Sequence, residues 1–259
     1  MLIYRITRLG GLIAATTIMA ASGALALDPA DGFGQLGIEI WTSNDGLPQN
    51  TVQAVLQSSD GFLWFGTQGG LVRFDGVSFQ TFSSANCAAF SHDDVQALAE
   101  TKSGVLWVAT YGGGLVRYDH GRITRLEVPG MLTRTSRVRA LHVGASGLLW
   151  IGTFEEGLYY WDGSRLHDAG LPEEWKDAGI TAVVEARDGS VWASTHRGLL
   201  HYDGRRWTSV VMPCGKIHQT SALYLDSDSS LWVATPISIV RFHGEDREII
   251  YAPPDHTWD

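Results

Sequence analysis

The chain is short of cysteine, of positive charge and of long apolar runs. Only Cys87 and Cys214 occur in 259 residues, 127 positions apart, which specifies neither a disulfide framework nor a cysteine metal cage. They read as two free or partly buried thiols. Lys and Arg total 19 against 28 Asp and Glu, a net charge of -9. No basic run follows the N-terminus, so a nucleic-acid surface, which depends on clustered cations, is excluded. Beyond the first 26 residues no apolar stretch reaches the roughly 20 residues that a membrane-spanning helix needs. The mature chain is therefore expected to have no membrane span.

The first 26 residues differ from the rest. Arg5 and Arg8 form a positive start, Leu9 to Ala21 an apolar stretch, and Ala24-Leu25-Ala26 a small-residue cleavage site. This is the order of a secretory signal peptide cut after Ala26, with a linker at 27–36 behind it. The expected location is periplasmic or secreted, and an uncleaved anchor is the alternative. No cysteine near the cut marks a lipoprotein.

What the chain does have is ten tryptophans and thirty glycines, one type that packs and one that turns, a mixture suited to short strands and tight turns. Five tryptophans are periodic. Trp64, Trp107, Trp150, Trp192 and Trp232 stand 43, 43, 42 and 40 residues apart. Three residues after each comes Thr67, Thr110, Thr153, Thr195 or Thr235. Between them sits a small residue: Gly66, Ala109, Gly152, Ser194 or Ala234. Ten residues before each lies an alanine: Ala54, Ala97, Ala140, Ala182 or Ala222. Each unit reads as four short β-segments, in the first unit TVQAVLQ, LWFGT, GLVRFD and SFQTF, with turn residues between. Four strands in about 42 residues are one propeller blade. A blade cannot bury both faces alone, so the tryptophan is expected between adjacent blades, with the small residue making room. The alanine is expected where the inner strands crowd together.

The fold class is therefore all-β, a β-propeller of four-stranded blades at about 50–83, 94–128, 137–169, 179–211 and 219–252, with a tail at 253–259. REIIYAPP at 247–254 supplies the last fourth strand, and IEIWTS at 38–43 resembles a fourth strand lacking its first three. Five blades plus an orphan strand do not close a ring neatly. The expectation is an incomplete ring of the seven-bladed type, from a chain that is truncated or part of a longer one. A five-bladed ring with the strand left over is the alternative.

The segment GLPQNTVQAVLQSSDGFLWFGTQGGLVRFDG, 46–76, resembles the two-component regulator propeller repeat: a GLP start, a valine-led strand, D-x-x-G-x-[LI]-W-[IV]-G-T, then G-[LI]-x-[RK]-[FY]. The other units match in their strands and vary in their loops, and the resemblance extends over about 37–252. It implies the periplasmic sensing part of a membrane-bound signalling protein. No kinase phosphate-binding segment, phosphorylatable-histidine helix or GGDEF-like run occurs in the chain, so any output activity lies outside these residues.

Candidate chemical motifs dissolve into the repeat. Gly66-Thr67-Gln68-Gly69-Gly70 precedes β-type residues rather than the helix that a phosphate loop requires, so it reads as a hairpin turn. Asp226-Ser227-Asp228 stands in a turn slot with no closing Glu for a calcium loop. His92-Asp93-Asp94 and Glu155-Glu156 are adjacent residues, which rarely converge on one metal or one substrate. No catalytic residue, metal site or cofactor is expected. Where all blades agree a residue serves the scaffold; where they differ at an equivalent exposed place, function has room. The tips between second and third segments carry Gln68, Tyr111, Phe154, Glu155, His196 and Arg197, and the first strands carry Gln53, Gln96 and Arg139 at one register. Together with the irregular linkers 83–94, 128–137, 170–179 and 212–220 these suit a small-molecule or glycan-type ligand. A protein partner, or self-association through exposed blade faces, is a further expectation. The rival reading is a metal-dependent propeller enzyme resembling streptogramin lyase, with His92, His142, His196 and His218 as its residues to test. A structural or adhesive repeat module is a third.

Overall fold

The computed structural model describes residues 40–129, 132–213, 220–244 and 246–252; the leader, Cys214, His218 and the tail at 253–259 lie outside them. The periodic segments become five antiparallel four-stranded sheets. The first holds β1 (Val52–Gln57), β2 (Leu63–Thr67), β3 (Gly70–Phe74) and β4 (Phe79–Phe82). The second holds β5 (Val95–Glu100), β6 (Leu106–Thr110), β7 (Gly114–Asp119) and β8 (Arg122–Leu126). The third holds β9 (Val138–Val143), β10 (Leu149–Thr153), β11 (Leu158–Trp161) and β12 (Leu166–Asp168). The fourth holds β13 (Ile180–Glu185), β14 (Val191–Thr195), β15 (Gly198–Tyr202) and β16 (Trp207–Val210). The fifth holds β17 (Ala222–Leu225), β18 (Leu231–Ala234), β19 (Ile239–His243) and β20 (Asp246–Tyr251). In every sheet the strands lie in chain order, and the successive first strands β1, β5, β9, β13 and β17 pack side by side.

Register explains the invariant residues. Trp64 pairs across from Leu56 and Arg73, and Gly66 across from Ala54 and Leu71, so all six share one face. That face meets the second sheet, where Trp64 and Leu71 are buried with Val95, Leu106, Val108 and Val116. A Cβ on Gly66 would stand 2.7 Å from Val95 Cγ1, and one on Gly152 2.5 Å from Ile180 Cγ2. The alanine and the small residue opposite it thus form a flat seat for the next sheet's first strand. The same arrangement repeats between the second and third sheets around Trp107, and between the third and fourth around Trp150.

The recurring threonine closes each hairpin. Thr67, Thr110, Thr153, Thr195 and Thr235 donate their hydroxyls to the carbonyls of Gly70, Gly114, Gly157, Gly198 and Ser238 at 2.8–3.1 Å. In the third sheet the Glu156 N–H donates back to Thr153 Oγ1 at 2.9 Å. Valine has the same shape and neither side-chain hydrogen bond, so Thr153→Val leaves the Glu156 N–H unpaired and the Gly157 carbonyl with only the backbone N–H of residue 153. It is expected to lower stability by about 1–3 kcal/mol, measured as a shift in urea midpoint. The aspartate that follows the third strand closes the next turn: Asp75 and Asp203 accept backbone N–H groups two and three residues on, which hold their carboxyls below the usual range.

The two end sheets differ. Residues 40–42, part of the segment expected to be an orphan fourth strand, are not in a strand; a 3-10 turn follows at Ser43–Asp45. Thr42 and Asp45 form a reciprocal cap that bends the chain there. Trp41 instead packs on Phe74 and Phe79 and, with Leu47, covers the outer face of the first sheet. On the outer face of the fifth sheet, Tyr224 and Tyr251 are 63% and 57% exposed, and Trp232 pairs beside Tyr224.

Candidate functional site

Each first strand begins beside the tip of its own hairpin, because Val52, Val95, Val138 and Ile180 pair with Thr67, Thr110, Thr153 and Thr195. The linkers arrive at the same end. Tyr111 N–H donates to Asp94 O at 2.8 Å, Phe154 N–H to Arg137 O at 2.9 Å, and His196 N–H to Ala178 O at 3.1 Å. Tips, linkers and first-strand starts therefore share one end of the array.

On that end three rings run across three sheets. Tyr111 and Phe154 meet edge to face at 5.9 Å, and Phe154 and His196 do so at 5.2 Å. Two guanidinium groups lie over them: Arg137 at 5.4 Å from the Tyr111 ring and 6.0 Å from Phe154, and Arg139 at 6.0 Å from Phe154. Such cation–ring pairs contribute about 0.5–2 kcal/mol each, depending on solvent access. Glu155 neutralises Arg137 at 3.0 Å. His196 Nε2 is buried without a hydrogen-bond partner among the described residues. Burial, with Arg139 adding to it, holds the His196 imidazole below its ordinary pKa and so neutral at pH 7.

The expected residues fall into distinct groups. Tyr111, Phe154, Glu155, His196 and Arg139 come together. Gln53 and Gln96 form a second group, both donating to Asp94 Oδ1, at 2.6 and 2.7 Å. Gln68 accepts from Gln49 at 3.2 Å, apart from the rings. Arg197 is turned to its own linker, paired with Asp177 and 5.6 Å from the Trp175 ring. Sequence reasoning placed Arg137 only within the linker 128–137, and weighed Asp94 only as part of the His92-Asp93-Asp94 motif and the linker 83–94. They occupy the place just before the valine that opens the first strand, where the first and fourth blades carry Thr51 and Gly179, and that variation is the signal that marks them.

The alternative motifs separate. Asp93 accepts from Ser84 and Asp94 from the two glutamines, so the two carboxylates after His92 point to different partners. Asp228 pairs with Arg241 at 2.8 Å, which places a cation of the chain itself in the supposed calcium slot. His142 lies on β9 opposite Trp150, away from the tips that carry His196. Among the described residues no three His, Cys, Asp or Glu side chains group as a metal site.

Comparison with known proteins gives a repeat type for two segments and a fold for the chain. Residues 46–69 and 89–112 match the family described as two component regulator propeller. In sequence, no curated protein matches the chain. Among solved structures it is similar to the extracellular domain of BT4673 from B. thetaiotaomicron, described as a one component system, at 20% identity and a TM-score of 0.64. That match covers 80% of this chain and 31% of the other, so the chain spans about a third of that relative. It is similar to virginiamycin B lyase from Staphylococcus aureus at 14% identity and a TM-score of 0.63, over 78% of this chain and 70% of that one. It is also similar to PorZ, a surface component of the type-IX secretion system of Porphyromonas gingivalis, at 18% identity and a TM-score of 0.64, over 81% and 35%. At these identities the structures establish an all-β propeller architecture.

Proposed function

We propose that this chain, two segments of which match the two component regulator propeller family, is the exported sensory part of a two-component-type signalling system, binding a small polar ligand on its tip-and-linker end without transforming it. The observation that supports this most is the contiguous rim of Tyr111, Phe154 and His196 under Arg137 and Arg139. Flat rings with guanidinium donors beside them suit a sugar ring, whose C–H faces stack while its hydroxyl or carboxyl groups accept hydrogen bonds. Export rests on the leader ending at Ala26; among the described residues no helix is long and apolar enough to cross a membrane.

A thermal-shift screen of sugars, sugar acids and short oligosaccharides tests the reading. A stabilising ligand is expected to lose at least about tenfold in affinity, about 1.4 kcal/mol, on Phe154→Ala and on Arg139→Ala. A ligand that stabilises the protein and is indifferent to both substitutions places the site elsewhere.

A further inference from the structure

At the end opposite the tips, a cleft of about 440 Å³ opens between the third and fourth sheets. Its lining includes Trp150 and Tyr160 from one sheet and Tyr202 and Trp207 from the other, with Glu185 among them. The Glu185 side chain belongs to a residue only 6% exposed. Its carboxylate accepts from Trp150 Nε1 at 2.7 Å, from Ser146 N at 2.9 Å and from Ser146 Oγ at 2.8 Å. All three donors are neutral, and none of the ion pairs among the described residues involves Glu185. His142 does not supply the missing charge: burial lowers its pKa and outweighs the pull of Glu185, so the ring is neutral at pH 7. A buried carboxylate with no counter-charge is costly, and such groups are normally paired.

Three other blades have the cation that this one lacks. The third-strand residue paired with the tryptophan is Arg73, Arg117, His201 or Arg241 in four sheets, and Tyr160 in the third. Arg73 lies 6.0 Å from the Trp64 ring, Arg241 5.6 Å from Trp232, and His201 stacks on Trp192 at 4.0 Å. The acid is also repeated: Glu100 stands seven residues before Trp107 as Glu185 stands before Trp192. It accepts from Ser59 across the first cleft, the one that holds Arg73. The third cleft thus keeps the indole and the acid, adds aromatic walls, and omits the chain's own cation. Asp168, accepting from Gly170 N at 2.7 Å, adds a second carboxylate to the lining.

We propose that this cleft binds a small organic cation, an alkylated ammonium, in the place that arginine takes in the first and fifth sheets. Ring faces and a desolvated carboxylate are the chemistry by which such cations are held. The site is independent of the rim at the other end.

Titrating the intact chain with choline, read by tryptophan fluorescence, tests this. Choline is expected to quench saturably and to bind at least about tenfold tighter than its uncharged isostere 3,3-dimethylbutan-1-ol, about 1.4 kcal/mol. Tyr160→Arg installs the residue that three other sheets already carry at this position, so folding should survive. It should abolish saturable choline binding with the melting temperature held or raised, whereas Phe154→Ala at the rim should leave choline binding unchanged. Absence of saturation by choline, equal binding of the alcohol, or choline binding that persists in Tyr160→Arg would each overturn the proposal.

Discussion

Trp107→Ala is expected to destabilise the chain by about 3–5 kcal/mol, and Trp232→Ala, the same change at the same place in the repeat, by only about 1 kcal/mol. Trp107 is buried between the second and third sheets against Leu149 and Ile151. Removing it opens a cavity that neighbouring strands cannot collapse to fill, because their hydrogen bonding fixes their spacing. Trp232 has the same partners within its sheet, Tyr224 and Arg241, but stands on an end face where those residues meet solvent. Urea midpoints for the two variants separate packing between sheets from packing within one. Equal losses would mean that the tryptophan acts inside its own blade and not between blades.

Gly114→Val should be more damaging than its chemistry suggests, costing more than about 3 kcal/mol. Gly114 has φ +73, a conformation that costs an L side chain about 1–2 kcal/mol. A Cβ there would also press into the Thr133 carbonyl, well inside van der Waals contact, with Arg134 Cα next to it at 3.6 Å. Such overpacking adds about 1–3 kcal/mol. The linker cannot move away freely, since Gly114 N–H donates to Ser136 O at 3.0 Å and Arg137 follows immediately. Displacing it should loosen Arg137 from Tyr111 and Phe154, so the melting temperature falls and any rim ligand weakens together. Gly163, with φ +98 and open space around it, is the control, where Gly163→Ala carries the conformational cost alone.

The fold was legible because packing between blades leaves periodic marks. The Trp-x-small-Thr spacing and the alanine ten residues upstream each answer to one contact that every blade must make. Trp41 was misread as part of a strand. Its aromatic character is needed to cover the first sheet's outer face, and a reciprocal Thr42–Asp45 cap serves that end without a strand. The rim was partly legible. Tyr111, Phe154 and His196 stand out as unlike residues at equivalent tips, and the sheets bring them together. Arg137 was legible only as the end of an irregular linker; its difference from Thr51, Asp94 and Gly179 at the equivalent place gains meaning once the Phe154 N–H to Arg137 O bond sets it beside the rings. Arg197 shows the converse: the right position, with its guanidinium drawn off by Asp177.

The central claim is that the tip-and-linker end holds a ligand and leaves it chemically unchanged. Mass spectrometry of a rim ligand after prolonged incubation with the protein, with and without an added divalent metal, tests it directly. The account predicts an intact ligand in both cases, with binding that depends on Phe154 and Arg139. Metal-dependent conversion of that ligand to a product, lost on His196→Ala, would contradict it and make the chain a propeller enzyme.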